Sequence, residues 1–274
     1  MSLSKQRPCA PQNRSATKFS ADECRRACTI PPVSPPTRSP IWWPTSTRNA
    51  TGNRAGSLGL RRCVCVTLAY LRRNRVQQEL AEAFGTSQPT VSRAIGALTS
   101  LIAAALAQWI PVADEIDPAG SYVLDGTLLP CWTCAEHREL FSGKHKTTGA
   151  NVQALCDLEG NPIWISDPVP GRDHDMAALA ASGLLDGLDP SKLLADKGYQ
   201  GCGMITPVKK PKGRDLHESD QSYNTDVNRL RAVVERVIAN LNTWRILHTD
   251  YRRPLATFEE TITATIGLFF YRLQ

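Results

Sequence analysis

The sequence lacks the long apolar runs from which membrane spans are built. No stretch approaches the roughly 18 consecutive apolar residues that a transmembrane helix needs. The first residues also lack a charged segment followed by an apolar segment, which is the pattern of a secretory signal. We therefore expect a cytoplasmic protein with no membrane partner.

A disulfide framework is also missing. The nine cysteines are odd in number and their spacings form no matched pairs, so reduced thiols are expected in a cytosolic chain. Cys131-Trp-Thr-Cys134 with His137 nearby resembles half of a zinc site. A structural zinc site needs four ligands and no second pair follows, so a zinc site is disfavoured.

Positive charge is unevenly distributed along the chain. The net charge is +6, but residues 1–62 alone hold eleven Lys and Arg against two Asp and Glu. This segment therefore carries +9, which leaves −3 for the remaining 212 residues. The basic excess belongs to the N-terminal part, and the isoelectric point alone is weak evidence for a nucleic-acid partner.

Residues 1–57 do not have the pattern of a folded domain. They hold eight of the nineteen prolines and many Ser and Arg residues, with no helical or strand periodicity. This composition predicts a disordered basic tail. Two interpretations stay open: an arm that contacts phosphates, or a non-native extension from a misplaced start or a frame change.

Residues 58–110 have the pattern of a small all-α domain. Apolar residues recur at helical spacing from Cys63 and again from Val76, and Gly85-Thr-Ser87 interrupts the second helix. Ser87 is a candidate N-cap for a third helix, and Pro89 is tolerated in a first helical turn. A fourth helix is predicted from Leu98. Helix, short turn and helix predict a helix-turn-helix unit.

The outer face of the third helix carries short polar side chains and one arginine. Such groups can contact base edges and phosphates, although helical hairpins are also common in bundles without DNA. The candidate DNA-contacting residues are Gln88, Thr90, Ser92 and Arg93.

Residues 119–274 alternate short apolar runs with helical patterns. A strand is predicted at Tyr122–Leu124, a hairpin around residues 157–161, a further strand at Lys192–Ala195, and two closing helices at Thr225–Asn242 and Thr257–Leu273. Strands with interleaved and terminal helices predict an α/β domain with a mixed sheet covered by helices.

Three acidic residues lie in contexts that suit metal-dependent phosphodiester chemistry. Asp125 and Asp196 follow predicted strands and are each followed closely by glycine, and Glu235 lies on the helix with the stripe Leu230, Val233, Val234, Val237, Ile238 and Leu241. Two Mg²⁺ ions need only a few rigidly held carboxylates. Each acid also has an ordinary alternative: an Asp-Gly turn at Asp125, a pair with Lys197 at Asp196, and a helical pair with Arg231 at Glu235.

A series of motifs resembles the DDE-superfamily endonuclease domain of bacterial insertion-sequence transposases, which are related to Harbinger-type elements. The similarity runs from about residue 63 to 273. The motifs occur in the family's order: Asp125-Gly-Thr127, Phe141-Ser-Gly-Lys-His-Lys146, Asn151-Val-Gln153, Pro170-Gly-Arg-Asp-His-Asp175, Leu194-Ala-Asp-Lys-Gly-Tyr-Gln-Gly201, Leu230-Arg-Ala-Val-Val-Glu-Arg236 and Leu241-Asn-Thr-Trp-Arg-Ile-Leu247.

The resemblance implies an RNase H-like fold and a transposase that binds terminal inverted repeats. It implies that Asp125, Asp196 and Glu235 hold Mg²⁺ or Mn²⁺, with two ions favoured by the chemistry. Lys144 and Lys146 are interpreted as a phosphate-facing loop, with a solvated turn as the alternative. Double-stranded DNA, both repeat and target, is the expected partner in the nucleoid, and a homodimer is one option for the assembly.

Two features qualify this interpretation. Asp175 rivals Asp196 as the second acid, but it opens a helix where a carboxylate is stabilised as a cap, so we interpret it as structural or as support for the site.

Residues 1–57 do not resemble the helical N-terminus usual in the family. A domesticated or degraded DNA-binding protein with an inactive nuclease domain is therefore the alternative.

Overall fold

The computed structural model describes residues 58–132 and 137–274. The predictions for residues 1–57, and for Cys134 in the disfavoured zinc site, fall outside these residues. The helices are α1 Leu60–Arg73, α2 Gln77–Ala83, α3 Gln88–Leu106, α4 Asp175–Ser182, α5 Glu218–Asn242, α6 Arg245–His248 and α7 Phe258–Tyr271. The strands are β1 Tyr122–Pro130, β2 Phe141–Ser142, β3 Thr147–Asp157, β4 Pro162–Ile165, β5 Val169–Pro170 and β6 Leu193–Leu194.

The first three helices of the described residues form the predicted helix-turn-helix with its supporting helix. Gly85 has a φ of +57° in the turn between α2 and α3, a conformation that glycine adopts without a steric penalty. Val91 and Ile95 are fully buried on α3, which packs against α1 and α2. The prediction of a separate fourth helix from Leu98 was wrong, because no breaker separates it and α3 continues unbroken to Leu106.

Helix α3 also joins this unit to the rest of the protein. It packs against α7 at the other end of the chain, and Trp109 stacks edge-on against Tyr271 with ring centroids 5.7 Å apart. Residues Gln88–Glu115 are long and apolar enough to cross a membrane by length and composition alone. One such helix is weak evidence for a membrane span, and α3 packs against α1, α2 and α7.

The sheet is mixed and lies between helices. Its hydrogen-bonded order is β2-β3-β1-β6, and β4 and β5 also pair with β3. Strand β1 runs antiparallel to β3 from Tyr122 opposite Asp157 to Pro130 opposite Gly149, and it pairs in parallel with β6. The predicted fold class, a mixed sheet flanked by helices and preceded by a helical unit, is confirmed.

Two apolar cores cover the two faces of the sheet. Val123 of β1 packs in a cluster with Val234 of α5, whereas Leu124 packs in a second cluster with Leu179 of α4. Successive side chains of a strand point to opposite faces, so β1 has an α5 face and an α4 face. This alternation determines where each acidic residue of the site lies.

Several element boundaries differ from the predictions. Strand β1 extends to Pro130, so Asp125 lies within a strand instead of after one. Helix α5 begins at Glu218, seven residues before the predicted start, because His217 caps it by accepting a hydrogen bond from the Ser219 backbone N–H. Leu230 was assigned to the apolar stripe of this helix, but its side chain is exposed and the buried arginine Arg231 occupies that face instead.

Candidate metal-binding and DNA-binding sites

Two of the three predicted acids converge on one buried arginine. The Asp125 Oδ2 atom lies 3.3 Å from Nη2 of Arg231, and the Asp196 Oδ1 atom lies 3.4 Å from Nη1 of the same guanidinium. The two aspartates come from β1 and from the segment after β6, and Arg231 comes from α5. The two terminal nitrogens of one side chain therefore hold carboxylates from two parallel strands.

The charge of Asp125 is set by opposing influences. Burial raises the pKa of the Asp125 carboxyl, and the neighbouring Asp196 adds to that rise. Arg231 opposes the rise, as do the Gly126 backbone N–H, which donates to Oδ1 at 2.9 Å, and Lys144. The net direction is a raised pKa. Positive charge beside Asp125 therefore favours the ionised form of its carboxyl.

Glu235 lies on α5 one turn after Arg231, and its side chain is exposed. Within residues 58–132 and 137–274, no group of three or more His, Cys, Asp or Glu side chains is arranged to hold a metal ion. The fold thus brings Asp125 and Asp196 together and places Glu235 on the adjacent helix, without gathering all three acids around one point.

Asp175 lies beside the same motifs but on the other face of β1. A Cβ atom at Gly126 would approach Asp175 Oδ1 to 3.0 Å, and one at Gly198 would approach Oδ2 to 2.8 Å. Two glycines therefore make room for this carboxylate. Because Asp125 and Gly126 are neighbours in a strand, their Cβ directions are opposite, so Asp175 faces away from the Arg231 side.

The partners of Asp175 are cationic and polar groups. Lys144 Nζ donates to its Oδ2 at 3.0 Å, and Asn151 Nδ2 lies 3.5 Å from its Oδ1. Tyr199 is fully buried close by, and its hydroxyl donates to Gln153 Oε1. Burial is the main cause that raises the pKa of the Tyr199 hydroxyl, and nearby carboxylates, of which Asp175 contributes most, raise it further. This hydroxyl therefore stays protonated and acts as a hydrogen-bond donor. These contacts support the interpretation of Asp175 as a residue that supports the site.

The donor set suits a hard divalent cation. Mg²⁺ and Mn²⁺ prefer carboxylate oxygens and are held by one or two carboxylates with water. Asp125 and Asp196 offer two such groups that already converge on a positive charge. The residues therefore fit a dication through the aspartate pair, and Glu235 is the predicted acid on α5.

The predicted DNA-contacting residues of α3 occupy its first turns, and Gln88 and Arg93 are exposed while Thr90 and Ser92 are half-buried. Gln88 Nε2 donates to Gln77 Oε1 of α2 at 2.8 Å, and Arg93 Nη2 reaches Thr90 Oγ1 at 3.3 Å. The N-terminus of α3 is thus a polar, accessible surface, as a recognition helix requires.

The two predicted loop lysines have different environments. Lys144 reaches the acidic site through Asp175 and lines a pocket of about 230 Å³ together with His145, Arg172 and His174. Lys146 is exposed, and its φ of +54° places it in the tight turn between β2 and β3. The structure therefore connects Lys144 to the site and leaves Lys146 on the surface.

Sequence reasoning missed Arg231 as a member of the site. It considered this residue only as a helical partner of Glu235. The available signal was an arginine at a position of α5 whose helical neighbours Val227 and Val234 are apolar and buried. A buried arginine requires anionic partners, and the two aspartates predicted to follow strands were the candidates.

Comparison with known proteins identifies both parts of the chain. The family model of the DDE superfamily endonuclease matches residues 124–269, and the helix-turn-helix of DDE superfamily endonuclease matches residues 56–108. Endonucleases of this superfamily generally use divalent metals, and the two matches together indicate DNA binding.

Two curated relatives are insertion-sequence proteins. A probable transposase for insertion sequence element IS702 of Microchaete diplosiphon is 29% identical over 220 residues, which cover 77% of this chain and 79% of that protein. A putative transposase for insertion sequence element IS112 of Streptomyces albus G is 28% identical over 196 residues, covering 71% and 73%. With more than half of its length matched by one family model, this chain belongs to the DDE superfamily of endonucleases.

Proposed function

We propose that this protein is an insertion-sequence transposase that binds terminal inverted repeats and cleaves and joins DNA with divalent metal. Residues 58–110 are assigned to DNA recognition and residues 119–274 to the chemistry, acting in the cytoplasm on nucleoid DNA. The observation that carries the proposal is the convergence of Asp125 and Asp196 from two strands on Arg231.

Each acidic residue has a defined role in this proposal. Asp125, Asp196 and Glu235 would hold Mg²⁺ or Mn²⁺, with two ions favoured. Bound there, the ions would supply an activated oxygen nucleophile and stabilise the leaving oxygen. Water is the nucleophile for cleavage and a DNA 3′-hydroxyl is the nucleophile for joining, so no covalent bond between protein and DNA is required.

The surrounding side chains orient the acids and the substrate. Arg231 holds the two aspartates in position, and Lys144, anchored by Asp175 at 3.0 Å, offers a positive charge to a DNA phosphate close to the acids. A point charge of this kind fixes the backbone without reading sequence. A homodimer stays a prediction.

One observation favours a second candidate function. Glu235 is exposed and is not gathered with the two aspartates, as expected for a DNA-binding protein whose nuclease domain has lost its activity. Both candidates would bind the repeats, but only the transposase would cleave the DNA.

The proposal is tested with the purified chain and a supercoiled plasmid that carries the element's ends. Nicking at the repeat borders is expected with Mn²⁺ or Mg²⁺ and should disappear with EDTA, and a plasmid without repeats is the control. Specific binding without any nicking across a range of metal concentrations would instead support the inactive DNA-binding protein.

Recognition by α3 gives a separate prediction. Arg93→Ala should weaken binding to the element's ends by about 1–3 kcal/mol if this exposed arginine contacts a base, and by less if it contacts only phosphate. Gel shifts with repeat and scrambled duplexes measure both the affinity and the discrimination. An affinity unchanged at every salt concentration would show that this face of α3 does not contact the DNA.

A further inference from the structure

A large open cleft lies between the helix-turn-helix unit and the C-terminal part of the protein. Its volume is about 590 Å³, and four arginines line it: Arg73, Arg75, Arg245 and Arg252. All four are exposed. We call this feature the arginine cleft. Neither the predicted recognition residues nor the three acids are part of it.

The arginine cleft has a surplus of positive charge. Its acidic lining residues are Glu79 and Asp250, against four arginines. Arg75 pairs with Glu79 at 3.5 Å, and Arg252 donates to the Asn74 carbonyl oxygen at 2.7 Å. Among the residues that the structure describes, the side chains of Arg73 and Arg245 have no hydrogen-bond or ion-pair partner. Two guanidinium groups thus face the same opening with their donors unused.

The two walls of the cleft are fixed to each other. Asn74 Nδ2 donates to Thr249 Oγ1 at 2.7 Å and to the Asp250 carbonyl oxygen at 3.2 Å. Arg72 Nη1 donates to Thr243 Oγ1 at 2.6 Å, and the Cζ atom of the same side chain lies 5.1 Å from the centroid of the Trp244 ring. Walls that are already fixed to each other need not be ordered when a rigid anionic partner binds, which lowers the entropic cost of binding.

The cleft is continuous with the recognition surface on one side. Arg75 and Val76, which line it, immediately precede α2, and Gln77 at the start of α2 is bonded to Gln88 at the start of α3. In helix-turn-helix complexes, the helix that precedes the recognition helix crosses the DNA backbone. The opening of the cleft therefore lies where duplex DNA bound by α3 would continue.

On its other side the cleft adjoins the strand that carries Asp125. Trp132, which lines it, follows β1, and its backbone N–H donates to the Tyr251 carbonyl oxygen at 2.8 Å. Asp125 and Trp132 are seven positions apart, a span of about 23 Å at the rise of an extended strand. This span is about two-thirds of the length of one DNA helical turn, which is about 34 Å. One bound duplex is therefore long enough to contact both the cleft and the region of Asp125.

We propose that the arginine cleft binds the phosphate backbone of the duplex that α3 recognises, with Arg73 and Arg245 as its main contacts. This inference rests on the proposed function and adds a second, sequence-independent contact surface to it. Phosphate contacts set the register of a protein on DNA without specifying bases. The cleft would therefore contribute affinity and orientation, while α3 contributes sequence preference.

The test is the salt dependence of binding to a labelled terminal-repeat duplex, measured with the full chain. Each lost phosphate contact lowers the slope of log affinity against log salt by about 0.9, so Arg73→Gln combined with Arg245→Gln should lower it by about 1.8. Affinity for repeat and scrambled duplexes should fall by the same factor. Both side chains are exposed, and an unchanged melting temperature verifies folding.

A matched control removes the same charge elsewhere. Arg61→Gln combined with Arg214→Gln replaces two exposed arginines that do not line the cleft, and it should retain the wild-type slope. Hydroxyl-radical footprints should lose backbone protection next to the α3 site only in the cleft variant.

The outcomes separate this inference from the function on which it rests. If wild type binds the repeat but the cleft variant keeps the full slope, the inference fails and the proposed function stands. An equal loss of slope in the control would also overturn it, because general charge would then explain the effect. Wild type that binds neither duplex would overturn both.

Discussion

Replacing Asp196 with asparagine is expected to abolish metal-dependent nicking, whereas Asp175→Asn should leave partial activity. The reason is the geometry of the sheet. The Asp196 carboxylate converges with that of Asp125 on Arg231, while Asp175 faces Gly126 from the opposite side of β1. Asp196→Asn would remove one of the two converging negative charges that are assigned to holding a dication.

The measurement is the rate of Mn²⁺-dependent nicking, with repeat binding followed in parallel. Both variants should bind the repeats as wild type does, since binding is assigned to residues 58–110. Glu235→Gln should behave like Asp196→Asn, because it retains size and helix propensity but loses the charge. An active Asp196→Asn variant together with an inactive Asp175→Asn variant would exchange the roles that we assign to these two aspartates.

The second large effect concerns Arg231 and the stability of the fold. The Arg231 side chain is only 9% exposed, and Asp125 and Asp196 are 22% and 40% exposed. Removing one partner of a fully buried ion pair costs about 3–5 kcal/mol. Because Asp196 is partly solvated, Arg231→Gln should cost about 2–3 kcal/mol in the free energy of unfolding. Urea denaturation measures this, with exposed Arg229→Gln on the same helix as the control.

The penalty of Arg231→Gln should depend on pH. Without the guanidinium, the pKa of Asp125 should rise further, because Arg231 is the largest of the contributions that lower this pKa. An acid whose pKa is higher in the folded state contributes its full stability at low pH and loses it as pH rises through the window above the ordinary aspartate value of about 4. The difference between wild type and variant should therefore be larger at pH 7 than at pH 5.

The same variant should respond more strongly to metal. A dication at the aspartate pair would replace the lost positive charge, so Mn²⁺ should raise the melting temperature of Arg231→Gln more than that of wild type. A variant as stable as wild type at both pH values would show that the guanidinium contributes no net stabilisation to the two carboxylates.

Local patterns predicted the elements that local forces determine. The helix-turn-helix was predicted because Val91 and Ile95 recur at helical spacing and Gly85 interrupts the pattern, and all three signals lie within eleven residues. The hairpin between β3 and β4 was predicted from the Asp157–Asn161 turn, where the Asp157 side chain accepts from the Asn161 backbone N–H at 2.7 Å.

Long-range features could not be predicted in the same way. Arg231 is separated from Asp125 by 106 positions, and no pattern on α5 alone indicates which strand its guanidinium meets. The extended start of α5 was missed because Glu218–Asn224 is polar and resembles a loop, although its one buried residue, Asn224, is tied to the Val208 backbone by two hydrogen bonds. Tertiary contacts of this kind override local propensity.

Helix α3 sets a fixed distance between its N-terminal surface and its contact with α7. Its 19 residues span about 28 Å, with the predicted DNA-contacting residues at one end and Leu106 at the other. At the Leu106 end, a Cβ atom at Gly267 of α7 would lie 2.8 Å from Leu106 Cβ. The backbones of α3 and α7 are therefore in close contact at this point. Under the proposed function, the spacing between a bound repeat and the three acids is therefore set by the protein, and we expect the element's ends to keep a matching spacing in base pairs.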